Sequence, residues 1–335
     1  MKTKLHYLIL IILIVATGCS TTDKSLISTI AERIKLPDEM RYPNGITHSP
    51  DGSIYVGSVV SGNIIHLARD GSAHTVFTET GDVFAGTSLR FDSLTNILWV
   101  ASPDFLGTKQ LDGSIFRRPH HLAAIAISDA QVIRTWTIPD KGFANDIALD
   151  TAGGVYVTDS INDRIYHLSS ATSTLDVVVA HPLLQPGKLG PAGITRLSNG
   201  DLIIGLFSQG HLLRITFDKA QLKKGKHLPQ ITRLALQRNI ENPDGIYAAS
   251  DKRIIVLEGA VTSGNGKVLE IDLTSPEPHT VTELAQNIDS PLNLTIKQGE
   301  LWVTEGRVRH LMLKDKNIPT PEAFYLRRLN VNAER

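Results

Sequence analysis

The sequence predicts an all-β protein: a six-bladed β-propeller of four-stranded antiparallel blades. Three observations predict it. One unit recurs six times at near-constant spacing, and each copy runs on into short alternating strands. A single cysteine, Cys19, leaves no internal disulfide to brace an exported chain, so a large core must do so.

The first residues stand apart from the fold. Lys2 and Lys4 precede the apolar run "LILIILIV", Leu8 to Val15, and small residues follow up to Cys19. That is the layout of a secretory leader, and the run is too short to span a bilayer comfortably. The stretch "VATGC" also matches a bacterial lipobox apart from Ala16, which makes Cys19 the expected acylation site; a plain leader with an accidental cysteine is the alternative. Ser20 after Cys19 points to an anchor in the outer membrane, facing the periplasm. The chain is thus divided into a leader over 1–18, a tether over 19–36 and one propeller over 37–335. A short helix is expected within the tether, over "SLISTIAERI".

The repeats follow. "PNGITHSPDGSIYVGS" from Pro43 aligns with "FAGTSLRFDSLTNILWVAS" from Phe84 and "FANDIALDTAGGVYVTDS" from Phe143. "PAGITRLSNGDLIIGL" from Pro191, "PDGIYAASDKRIIVLEG" from Pro243 and "PLNLTIKQGELWVTEG" from Pro291 complete the set. Equivalent positions are Gly45, Gly86, Asp146, Gly193, Gly245 and Asn293, at intervals of 41, 60, 47, 52 and 48 residues. All but one interval suit a four-stranded blade. Each unit has a face it cannot bury alone, so six close into a ring whose innermost strands line a channel. Closure needs a terminal strand in the last blade, and "AERIKLP" and "AFYLRRLNV" both qualify. The long interval holds an insertion in the second blade, Ser102 to His121, whose Arg117, Arg118, His120 and His121 could hang over the channel mouth.

Residues just before the innermost strands converge on one small circle. Here they are Asn44, Ala85, Asn145 with Asp146, Ala192, Asp244, and Leu292 with Asn293. One carboxylate with several amide oxygens is a donor set for a hard divalent cation, Ca²⁺ foremost. Such a cation could polarise an ester or lactone carbonyl, with Asp244 as ligand, as base for a water, or both. Turn chemistry competes as an explanation, because Asn and Asp side chains also bond nearby backbone amides. Recurrence at one register favours a polar site. Asp159, Glu258 and Glu305 end the second strands, where they would ring a channel end or simply begin turns. No HExxH, GxSxG, Walker or Rossmann motif is present. Lys plus Arg equals Asp plus Glu at 34 each, so no net field draws the chain to nucleic acid, and membrane contact comes through the lipid only.

The "NDI" and "PDG" strands in "FANDIALDTAGGVYVTDS", "NPDGIYAASDKRIIVLEG" and "YPNGITHSPDGSIYVGS" resemble the SMP-30/gluconolactonase/LRE-like family of six-bladed propellers. The resemblance implies a divalent metal at the channel mouth and hydrolysis of sugar lactones or related esters. It implies Asp244 as metal ligand and acid/base, and Asn145 on the substrate side. Arg117 and His121 of the insertion are expected to contact substrate. The expected metal ligands are Asp244, Asn44, Asn145, Asp146 and Asn293. Departures are visible: Asn44 stands where the family has a glutamate ligand, Ala192 where it has an asparagine, and Phe143 where it has a substrate-binding arginine. Two readings follow, a metal-assisted hydrolase of a lactone or ester, and a non-catalytic propeller that binds a small ligand or a protein. A lyase would need a channel base such as a histidine, and the sequence shows none.

Overall fold

The computed structural model describes residues 32–69, 71–170, 173–184, 188–217, 229–315 and 317–331. The leader, Cys19 and most of the expected tether lie outside the described residues. Of the helix expected over "SLISTIAERI", the described part, Glu32–Ile34, is extended and belongs to strand β1 (Glu32–Lys35). It pairs antiparallel with β26 along its whole length, which an extended chain can do and a helix cannot.

Six four-stranded antiparallel sheets form the ring. The first blade is β2 (Pro43–His48), β3 (Ile54–Ser58), β4 (Ile64–Leu67) and β5 (Ala73–Phe77). In the second, β6 (Ser88–Asp92) and β7 (Ile97–Ser102) are followed by the inserted hairpin β8 (Thr108–Lys109) and β9 (Ile115–Phe116), then by β10 (His121–Ala126) and β11 (Gln131–Thr137). The third blade is β12 (Ala144–Leu149), β13 (Val155–Asp159), β14 (Arg164–Leu168) and β15 (Asp176–Ala180). The fourth is β16 (Pro191–Arg196), β17 (Leu202–Leu206), β18 (His211–Thr216) and β19 (Gln230–Arg233). The fifth is β20 (Pro243–Ser250), β21 (Arg253–Glu258), β22 (Gly266–Asp272) and β23 (Thr280–Ile288). The sixth joins β24 (Pro291–Lys297), β25 (Glu300–Glu305) and β26 (Tyr325–Asn330) to β1. Both candidate closing segments are therefore used, as neighbours.

Alternation along each strand puts one apolar row on each sheet face, and facing rows fill the space between blades. Between the second and third blades, Trp99, Leu122, Ile147, Val157 and Tyr166 are fully buried together. Each such side chain contributes about 2 kcal/mol by leaving water. The innermost strands β2, β6, β12, β16, β20 and β24 touch in sequence around the axis, and β24 meets β2.

The residues ending the second strands are clasps. Asp159 is fully buried and accepts the backbone N–H groups of Phe143, Ile161 and Asn162 at 2.8, 3.1 and 3.1 Å. Glu258 takes a two-pronged bond from Arg238, 2.7 Å at each oxygen, and the Glu241 N–H at 2.8 Å. Ser102 Oγ accepts the Phe84 and Ala85 N–H groups at 2.9 and 3.1 Å. Each clasp fixes the segment that leads into its blade's innermost strand.

Glu305 does the same work for ring closure. It is buried and takes Arg33 of β1 at 2.7 and 3.1 Å and Arg327 of β26 at 2.7 Å. Removing one partner from a buried ion pair strands the other charges, a loss of about 3 kcal/mol. Glu305→Ala is expected to lower stability by that order, read as a shift of the urea midpoint at unchanged slope. An unchanged midpoint would mean that the two guanidiniums do not hold the closing strands.

Candidate functional site

Five of the six innermost strands start with a break in pairing. Ladder partners run from Pro43 to Ile46, Ala144 to Ile147, Pro191 to Ile194, Pro243 to Ile246 and Pro291 to Leu294, skipping two residues each time. The skipped pairs are Asn44–Gly45, Asn145–Asp146, Ala192–Gly193, Asp244–Gly245 and Leu292–Asn293. A bulge re-aims side chains that a regular ladder would place on the sheet faces. Here the first residue of each pair borders a cavity of about 190 Å³ at the channel mouth, apart from Ala192, which is fully buried beside it under Phe207 and Leu189.

The second residue of each pair lies at the ring contact. Gly193 and Gly245 are required there: a Cβ on Gly193 would come within 1.8 Å of the Asp244 carbonyl oxygen, and one on Gly245 within 2.8 Å of the Leu292 carbonyl oxygen. Backbone groups freed by the breaks find other partners, as burial demands. The Asp146 N–H donates to Thr158 Oγ1 at 3.0 Å, and that hydroxyl donates to the Ala192 carbonyl at 2.7 Å. The Asn293 N–H donates to Thr304 Oγ1 at 3.0 Å, which donates to the Asn44 carbonyl at 2.9 Å.

Sequence reasoning placed Asp146 and Asn293 among the metal ligands, and the structure sets them to other work. Asp146 Oδ1 accepts from Ser88 Oγ at 2.6 Å, Arg90 Nη2 at 3.1 Å and Asn293 Nδ2 at 3.1 Å. Its Oδ2 accepts the Ile194 N–H at 3.1 Å. Asn293 Oδ1 accepts the Leu294 N–H at 2.9 Å and Arg90 Nη1 at 3.3 Å. Their oxygens are filled by protein donors, so these two side chains tie four blades together. Arg90 and Ser88 escaped the sequence reading, which followed only the pairs that open each innermost strand.

Asn44, Asn145 and Asp244 are brought together, all lining the same cavity. Asn145 Nδ2 donates to Ser160 Oγ at 2.8 Å, and the serine's own proton goes to the Pro191 carbonyl at 2.6 Å. That chain fixes the amide orientation and leaves Asn145 Oδ1 as an acceptor. Asp244 is different. Its carboxyl makes no hydrogen bond or ion pair among the described residues, while protein surrounds it. Burial first, and the nearby Asp146 charge second, push its pKa well above the usual carboxylate range.

The rest of the cavity is largely apolar. Phe105 and Phe143 meet edge to face with centroids 6.5 Å apart, and His120 stands edge-on to Phe143 at 5.3 Å. Met312 arrives on the short helix α1 (Arg309–Leu313), which Arg309 ties to the Val261 and Thr262 carbonyls at 2.7 and 3.1 Å. Arg117 lines the cavity, but its Nη1 is turned back onto the Asp104 and Phe105 carbonyls. His121 pairs with Ser102 and turns its ring to Phe84, 6.1 Å away, so His120 lines the cavity in its place. Burial holds the His120 pKa below its usual value, and its Nδ1 has no partner among the described residues.

The donor set suits a hard cation in kind: oxygen only, one carboxylate and two amides. No group of three or more His, Cys, Asp or Glu side chains suited to a metal occurs among the described residues. With one negative charge, such a site binds Ca²⁺ weakly.

No family model matches the chain, and no curated protein matches it. Solved structures do. Virginiamycin B lyase from Staphylococcus aureus matches with a TM-score of 0.58 at 16% identity, over 90% of this chain and 99% of that one. A gluconolactonase from Xanthomonas campestris matches with a TM-score of 0.59 at 12% identity, over 89% of each chain. A chain of a nidogen–laminin complex matches with a TM-score of 0.53 at 18% identity, over 75% and 84%. At these identities the likeness is one of fold, and the six-bladed propeller is what they share.

The desolvated carboxyl has a measurable cost. Ionising Asp244 is harder in the folded protein than in the unfolded chain. Its effect on stability is therefore nil below the ordinary carboxylate pKa, about 3.9, and grows unfavourable as pH rises through the range up to its raised value. Asp244→Asn, studied with chelator present, is expected to melt above the wild type at about pH 8, the gap closing toward about pH 4. Parallel melting curves for the two proteins across that range would show the carboxyl to be solvated.

Proposed function

We propose that the protein is a hydrolase of an ester or lactone, acting at the channel mouth with Asp244 as its acid/base. The observation that carries this reading is Asp244 itself, a part-buried carboxyl that makes no hydrogen bond among the described residues and faces the cavity. Asp146 and Asp159, which serve the fold, have every carboxylate oxygen bonded.

Asp244, Asn44 and Asn145 would hold a divalent cation, Ca²⁺ foremost. When bound, such an ion supplies Lewis acidity toward the substrate carbonyl and lowers the pKa of a water. The chain's own groups do the rest. A carboxyl whose pKa lies above the usual range takes a proton from the attacking water and returns it to the leaving alkoxide near neutral pH. Asn145 Oδ1, fixed by Ser160, orients a donor on the substrate or the water. The aromatic walls exclude bulk solvent, which strengthens each polar contact at the floor. Leader and lipobox support export and attachment through Cys19 to the outer membrane, on its periplasmic side.

His120 favours one further reading. A buried neutral imidazole bordering the same cavity is the base that a lyase on this scaffold needs, and one structural neighbour is a lyase. Turnover in isotopically heavy water separates the two, because hydrolysis puts solvent oxygen into the acid product and elimination does not.

Calorimetric titration of metal-stripped protein with Ca²⁺ and Mn²⁺ tests the site. A weak single-site isotherm is expected for the wild type, with loss of binding and at least a hundredfold loss of ester turnover in Asp244→Asn. Heat and turnover unaffected by that substitution would remove Asp244 from the chemistry.

A further inference from the structure

Polar and apolar surfaces in the cavity are segregated, and the polar end has few groups left to offer. Its floor is Asn44, Asn145 and Asp244, set by the bulges. Its walls are Phe105, Phe143, Phe207, Val308 and Met312, carried by the loops and α1, and Leu292 of β24 is the one apolar member of the floor's own level. Apart from His120 Nδ1, which has no partner among the described residues, the other polar groups along the walls are mostly committed to the protein. Thr87 Oγ1 donates to the Ala101 carbonyl at 3.1 Å, Arg117 Nη1 is held by two carbonyls, and Asn145 Nδ2 is held by Ser160.

The apolar wall continues past the rim. Beside Phe105 and Arg117, the inserted hairpin exposes Leu106, Leu111, Ile115 and Phe116, and Ile161 of the next blade both lines the cavity and reaches solvent. Leu106 and Phe116, next in sequence to the cavity-lining Phe105 and Arg117, and Ile161 extend the apolar surface to solvent, and such a surface marks the path of an apolar ligand.

From this segregation we infer that the channel mouth takes a neutral amphiphile: a lactone or ester with one compact polar head and an alkyl or aryl body. This rests on the reading of the channel mouth as the substrate site. The head meets Asn44, Asn145 and Asp244, and the body lies along the phenylalanines toward the hairpin. A polyhydroxylated sugar lactone would bury several hydroxyls against carbon. Each hydroxyl left without a partner costs roughly tenfold in affinity.

Two inert ring analogues test the inference apart from turnover: an alkyl-substituted δ-lactam and a polyhydroxylated δ-lactam of the same ring size. Calorimetry on the full chain should show the alkyl lactam binding at least tenfold more tightly. Phe143→Ser should erase most of that preference and Phe143→Leu should keep it. Equal or tighter binding of the polyhydroxylated lactam overturns the inference, as does binding of neither at millimolar concentration. The hydrolase reading is judged separately, on release of acid from an alkyl-substituted δ-lactone. A protein that binds the alkyl lactam and hydrolyses nothing keeps the ligand class and loses the reaction.

Discussion

The architecture depends on one buried carboxylate at the axis. Asp146 gathers Ser88 and Arg90 from the second blade, the Ile194 N–H from the fourth and Asn293 from the sixth. A ring of blades has a geometric problem at its centre, where six backbones meet with unequal gaps. Glycine at four of the six equivalent positions lets the strands close up. The two polar side chains at the other positions, with Arg90, fill the remaining space and satisfy the backbone groups that the bulges release. A buried charge survives there because its donors are complete. Its field then reaches Asp244, one level nearer the mouth, and adds to the upward push that burial gives that carboxyl's pKa.

Two aspartates in the same ring, on the third and fifth blades, therefore have opposite characters. Asp146 is saturated with donors and serves the fold. Asp244 has none and is held in the fold against its own preference for water. One contributes to the stability of the ring and the other costs it when ionised. The clasps Asp159, Glu258 and Glu305 fall on the saturated side. They resemble candidate site residues in the sequence and are structural in the molecule.

The ring was legible because it is a repeat. Six units at similar spacing specify the blades, the inner strands and the register of the mouth-lining pairs, and so Asn44, Asn145 and Asp244 could be grouped. The depth of a residue within each pair was not legible. Asn145 and Asp146 are adjacent, yet the bulge sends one to the cavity and the other to the axis. Arg90 was invisible for a related reason: its side chain crosses the channel from a position that is apolar or small in other blades. The insertion hid the parity of His120 and His121, since only the pairing of His121 with Ser102 decides which ring faces inward. Segregation of apolar walls from polar floor was hidden as well, because Phe105, Phe207, Val308 and Met312 come from loops and α1 outside the repeat.

The sixth blade lays the first described strand of the chain beside the last, with Glu305 bonded to both. Synthesis delivers those two strands at opposite ends of its course. The ring cannot close until the later of these strands has been made, so the channel mouth, which needs all six blades, is complete only then.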